Sequence, residues 1–309
     1  MGADPNLFIV GAPKCGTTAL SRYLTAHPDV FVANRELNYF SVDLEFRTMK
    51  GEAWRITPEA YRAWFAEHPD VRYRGDHSVF YLYSSRAAAE IRAFDPDARI
   101  LVMLRNPVDQ MHSEHSEMLF QGDEDERDFA TALSLEEARR QGRHVPPHCR
   151  KVFGLFYRDL ARYSDQVERY FAAFGRHRVC VVLHDDLVAD VAGAYRRVLE
   201  FLDVDPEVAP DFSVVNANKV VRSTALRELL RRTPALARRA GRLVVRDEHD
   251  RAALRRRLQA MNTKEQARPA VDPELRRRLE EEFEPEVRRL EALLGRDLPA
   301  WRSAPAPSA

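Results

Sequence analysis

Phe8-Ile9-Val10-Gly11-Ala12-Pro13-Lys14-Cys15-Gly16-Thr17-Thr18-Ala19-Leu20 runs from an apolar strand through a small-residue loop into a helix. The backbone N–H groups of such a turn, with the positive end of the following helix, bind an anionic oxygen cluster without a dedicated charged side chain. Lys14 adds a mobile cation, and the Thr17 and Thr18 hydroxyls add donors. The glycine spacing fits the triphosphate loop G-x-x-x-x-G-K-[ST], but Thr17 stands where that loop has its lysine, and Lys14 lies between the glycines. The usual lysine reaches the β and γ phosphates, and the hydroxyl beside it holds Mg²⁺. A lysine inside the turn meets a shorter ligand.

A second stretch, Arg99-Ile100-Leu101-Val102-Met103-Leu104-Arg105-Asn106-Pro107-Val108-Asp109-Gln110-Met111-His112-Ser113, is a buried apolar run that ends in Arg105. Pro107 suits the first turn of a helix, and Ser113 falls on the helix that follows. Together the two stretches resemble the PAPS-dependent sulfotransferases, a bacterial form related to the carbohydrate and heparan sulfate type. The resemblance implies 3′-phosphoadenosine-5′-phosphosulfate (PAPS) as donor, PAP as product and no requirement for metal. It places Pro13, Lys14, Cys15, Gly16, Thr17, Thr18 and Ala19 on the 5′-phosphosulfate, and Arg105 and Ser113 on the 3′-phosphate.

The resemblance also makes Glu36, in Asn34-Arg35-Glu36-Leu37-Asn38-Tyr39-Phe40, the general base. Independently of it, an acceptor hydroxyl has a pKa far above neutrality, so a carboxylate must take its proton as sulfur transfers. Arg74-Gly75-Asp76-His77-Ser78 departs from the family's Gly-Glu-Lys-Ser through Asp76 and His77. His77 is a candidate to orient Glu36, contact the sulfonate or act as base, while a lone histidine at a strand end also suits a structural role. Lys264 and Arg268 match a basic loop over the 3′-phosphate, without the family's glycine. His184-Asp185-Asp186-Leu187 resembles the family's Tyr-Glu-Asp-Leu turn, and Gly295-Arg296-Asp297-Leu298 with Trp301 its Gly-Arg-Asp-Leu-x-x-Trp ending.

The 309 residues, 45% of them hydrophobic, suffice for a sizeable core. Charge is balanced at 48 basic and 48 acidic residues, so no global field recruits nucleic acid or an anionic membrane, and any anion site must be local. Only five of the basic residues are lysine, an arginine bias that points to a GC-rich bacterial genome. Met1 to Asn6 contain neither a basic nor an apolar leader segment and no apolar run approaches membrane-spanning length, so a cytoplasmic location is expected. Cys15, Cys149 and Cys180 form neither a disulfide framework nor a zinc pattern. Cys15, at a helix start beside Lys14, has the setting that lowers a thiol pKa. His112 and His115 share a helix face, yet they lack a third ligand and the H-E-x-x-H pattern, so Ser113 as phosphate ligand explains the segment better.

Periodicity predicts helices over 18–26, 85–94, 152–174, 192–202, 226–258 and 272–294, a peripheral helix around 58–65, and strands at 29–32 and 178–183. Helices alternating with buried strands predict an α/β, P-loop-like three-layer fold, with a central mostly parallel sheet and the ligand at the strands' carboxyl ends. One domain over 1–302 is expected, with 121–150 a candidate lid or acceptor rim and 303–309 a disordered tail. The function so implied is transfer of sulfonate from PAPS to a hydroxyl of a carbohydrate or natural-product acceptor. A P-loop small-molecule kinase and a non-catalytic nucleotide-binding protein are the competing readings.

Overall fold

The computed structural model describes residues 4–48, 51–212, 219–221, 261–266 and 268–302. Its centre is a five-stranded, all-parallel sheet in the order β2-β3-β1-β4-β5: β1 (Leu7–Gly11), β2 (Val30–Val32), β3 (Tyr73–His77), β4 (Arg99–Leu104) and β5 (Val179–Leu183). Leu7 through Val10 and Ile100 through Leu104 are wholly buried. That burial is why β1 and β4 read as continuous apolar runs, since a parallel sheet covered by helices has no solvent face. The chain leaves β1 toward β3 and β2 and returns to β4 on the other side, so the loops after β1 and β4 diverge. Ligands bind at such a switch point, beyond the carboxyl ends of the strands.

Helices α1 (Thr17–Thr25), α2 (Pro58–Ala63), α3 (Ala87–Phe94), α4 (Pro107–Gln121), α5 (Phe129–Ser134), α6 (Glu136–Arg140), α7 (Tyr157–Ala161), α8 (Tyr163–Phe174), α9 (His184–Ala189), α10 (Val191–Leu202) and α11 (Pro273–Leu294) flank the sheet. The predicted helix over 152–174 is three pieces: a 3₁₀ turn, Val152–Leu155, then α7 and α8, with non-helical backbone at Phe156 and Arg162. Its apolar residues serve two cores. Phe153 and Leu160 pack with Leu44, Val79 and Phe80, whereas Tyr157, Tyr163 and Tyr170 enter the main core, and no straight axis serves both.

The predicted polar loop after residue 262 begins as strand β7 (Thr263–Glu265), antiparallel to β6 (Lys219–Val221). The expectations for 226–258 and 303–309 lie outside the described residues. The two terminal motifs meet: Arg296 makes a bidentate pair with Asp186 at 2.7 Å, and the buried Trp301 donates its indole N–H to Asp185 at 2.6 Å. Among the described residues no helix is long and apolar enough to cross a membrane.

Candidate active site

The turn after β1 is fixed from three directions. Ala12 N–H donates to Met103 O of β4 at 2.6 Å, the Gln110 amide donates to Pro13 O at 3.2 Å, and Arg105 donates to Lys14 O at 3.4 Å. Lys14 and Gly16 both have left-handed backbone, φ 64° and 92°, and Gly16 caps α1. A Cβ at Gly11, φ 130°, would lie 2.1 Å from Val79 O, so only glycine lets β1 run this close to the 79–82 turn.

Pro13, Lys14, Gly16, Thr17, Thr18 and Ala19 line a cleft of about 860 Å³, and Arg105, Ser113 and Arg268 line it too. Asn106 caps α4, accepting from the amides of Val108 and Asp109, and Pro107 occupies the first turn. Ser113 is thereby held two turns along, buried, and Arg268 donates to its Oγ at 2.8 Å. Burial and then the charge of Arg105 push the Arg268 pKa down. Arg268 on the Ser113 hydroxyl, with the charge of Arg105 near enough to be felt, is an arrangement chemically suited to an anion. Lys264 is exposed on β7 and is not among the lining residues.

Lys14 extends into the cleft and donates to Glu117 of α4 at 2.8 Å. Burial alone would raise the Glu117 pKa, but the charge and hydrogen bond of Lys14, with Gln121, hold it below the usual value. Glu36 also lines the cleft. Burial pushes its pKa up to about 7, with Lys151 opposing and Glu114, Glu117 and Asp76 reinforcing. The loop that carries Glu36 is anchored from beneath. Ser78 Oγ accepts the amides of Leu37 and Asn38 at 3.0 Å and donates to buried Asp76 at 2.7 Å. Asp76 also accepts the hydroxyls of Tyr61 and Tyr81, at 2.9 and 2.7 Å.

Two expectations are corrected here. His77 does not line the cleft, because alternation along β3 gives Asp76 and Ser78 to the Glu36 loop and turns His77 the other way. Its burial pushes the imidazole down to about 4, so it is neutral near pH 7. Cys15 is wholly buried, and burial pushes its thiol up to about 12, the opposite of the shift expected from the helix start. Its side chain lies beneath the cradle, where Sγ meets Pro13 O at 3.5 Å.

The sequence reading gave Lys151 no role, and it weighed Glu114 and Glu117 only within the metal reading set aside above. Lys151 lies on the cleft wall over the face of Phe80, 4.5 Å from the ring centre, and 3.8 Å from Glu114. The available signal was compositional. In a chain that spends arginine almost everywhere, a lysine marks a place for a compact ammonium, and Lys14 and Lys151 both line this cleft. His115 donates Nε2–H to Glu126 O at 2.8 Å, and among the described residues no group of three or more His, Cys, Asp or Glu side chains is arranged to hold a metal ion.

The chain is 25% identical over 252 residues to human heparan sulfate glucosamine 3-O-sulfotransferase 3B1, covering 82% of this chain and 59% of that protein. It is 26% identical over 216 residues to human heparan sulfate glucosamine 3-O-sulfotransferase 6, covering 70% and 57%. It therefore spans under two thirds of the length of these relatives. The crystal structure of a sulfotransferase from Alicyclobacillus acidocaldarius superposes with a TM-score of 0.71 at 29% identity, covering 97% of this chain and 99% of the other. Residues 5–208, which span the whole parallel sheet and its cradle, match the model of the sulfotransferase family, and the chain belongs to it.

Proposed function

We propose that this protein transfers a sulfonate group from PAPS to an acceptor hydroxyl, with Glu36 as general base. What supports the reading is that one cleft is lined by Pro13, Lys14, Gly16, Thr17 and Thr18 of the turn after β1, by Arg105, Ser113 and Arg268, and by Glu36, a carboxyl of raised pKa. A nucleotide with phosphate groups at both ends suits the turn and the arginine group. The turn offers backbone N–H groups and the Thr17 and Thr18 hydroxyls to the 5′ end, and the two guanidiniums offer a bidentate grip to the 3′ end.

When bound, the donor supplies an activated sulfonate and a stable leaving phosphate. The chain supplies the rest. Lys14 provides positive charge where charge develops on the bridging oxygen. Glu36, poised near neutrality, accepts the proton of the attacking hydroxyl. The Ser78–Asp76 support keeps that carboxylate in place. Residues 121–150 act as a rim on the acceptor side, and the rim's end delivers Arg150 and Lys151 to the cleft. The relatives named for heparan sulfate support a hydroxyl-bearing glycan as acceptor, and the absence of a lysine after Gly16 speaks against a Mg²⁺-triphosphate kinase.

Calorimetry with PAP and with Mg²⁺·ATP, followed by mass spectrometry of acceptor mixtures incubated with PAPS, tests the proposal. It requires PAP binding and the mass gain of one sulfonate group. Binding of ATP with no response to PAP would overturn it.

A further inference from the structure

Two hydrogen-bond acceptors on the cleft wall are buried without a donor. Glu114, on α4 one residue beyond Ser113, is 1% exposed, and its Oε1 accepts no hydrogen bond. The ammonium of Lys151, 3.8 Å away, forms an ion pair with it beyond hydrogen-bond reach. Asn38 Oδ1, two residues from Glu36, is likewise buried with no donor. Asn38 has φ 51°, a left-handed conformation that asparagine tolerates better than most side chains. Both residues line the cleft with Glu36, Lys151, Phe80 and Trp54.

We propose that Glu114, Asn38 and Lys151 form an acceptor subsite beside Glu36, one that holds a second hydroxyl next to the hydroxyl being sulfonated, so that the preferred acceptor is a ring with vicinal hydroxyls. An unmet buried acceptor is costly, which makes the pair selective for a ligand that brings donors. A cationic ligand is disfavoured because Lys151 already faces Glu114. A neutral O–H group suits the set, since it donates its one proton to either Glu114 or Asn38 and accepts from Lys151. Phe80 and Trp54 add apolar surface for the carbon face of a ring. The inference rests on the transferase reading only for the role of Glu36; the subsite itself stands on the unpaired atoms.

The test presents the full chain, with and without PAP, with trans-1,2-cyclohexanediol and with cyclohexanol, and measures binding of each by saturation-transfer NMR. The wild type is expected to bind the diol at least about tenfold more tightly, the size of one hydrogen bond to a charged group. Glu114→Gln, Asn38→Gly and Lys151→Met should each erase most of that preference. Glycine accepts φ 51° without strain and methionine keeps the contact with Phe80, so these two variants report even if Glu114→Gln disturbs the core. Equal binding of both probes by the wild type, or a diol preference retained in all folded variants, overturns the subsite. PAP calorimetry on the same samples separates the two claims: a diol preference lost in the variants with no PAP binding removes the transferase reading and leaves the subsite.

Discussion

Glu36 carries opposite demands from stability and chemistry. Its carboxyl titrates near 4.5 when exposed and near 7 in the fold, so the folded chain retains a proton that the unfolded chain releases between those values. Its contribution to stability is therefore complete below about pH 4.5 and is lost as pH rises through about 7. Glu36→Gln should raise Tm relative to wild type by an amount that grows across this window and levels off above it, as read by calorimetric melts at several pH values. A base must be ionised to work, so kcat/KM of the wild type should fall below about pH 7. Glu36→Gln should lower turnover by about 10²- to 10⁴-fold and abolish that acid limb. Lys14→Ala and Arg105→Ala should separate transfer from binding. The first should cost about a hundredfold to a thousandfold in kcat, and the second should weaken PAP binding about tenfold to a hundredfold in calorimetry while sparing kcat.

At the scale of elements, the strand end at 76–78 positions the loop opposite. Ser78→Ala leaves the amides of Leu37 and Asn38 without their acceptor and takes one donor from Asp76. It should cost about 1–3 kcal/mol in denaturant unfolding and lower kcat about tenfold or more, with PAP affinity retained. Sequence pattern exposes such elements unevenly. The turn after β1 and the Arg105-to-Ser113 spacing are legible because their geometry is local: a strand end, a proline-started helix and a count of residues. The breaks at Phe156 and Arg162 are invisible to periodicity, because aromatic residues continue at helical spacing while their partners change from one core to another. His77 misleads for a related reason. Its place at the end of β3 is readable, but which face of the strand meets the Glu36 loop is settled by pairing with β1 and β2. Lys151 and Glu114 come together only through the packing of residues distant in sequence.

For the whole molecule, a buried charge pair matters that is not part of the cleft lining. Arg139 and Glu124 are both fully buried and 2.7 Å apart, and Glu124 also accepts the Tyr157 hydroxyl and the amides of Asp125 and Glu126. Together with the Arg150–Asp123 pair, this hub ties the segment after α4 to the body and so places Lys151. Glu124→Ala strands a buried guanidinium and should cost about 3–5 kcal/mol, measured by denaturant unfolding. The loss of Lys151 placement should appear in the same protein as a weakened diol preference.

The ion pair between Lys14 and Glu117 has a kinetic meaning. With the cradle already braced by β4, α4 and Arg105, an arriving anion needs only to exchange one negative partner of Lys14 for another. No loop has to be refolded first. Stopped-flow mixing with PAP should therefore give one phase whose rate rises linearly with concentration, and a plateau would reveal a slow rearrangement that this bracing does not require. On the proposed reaction, the same carboxylate would stand ready to reclaim the ammonium as the spent nucleotide departs and so hasten the emptying of the cleft.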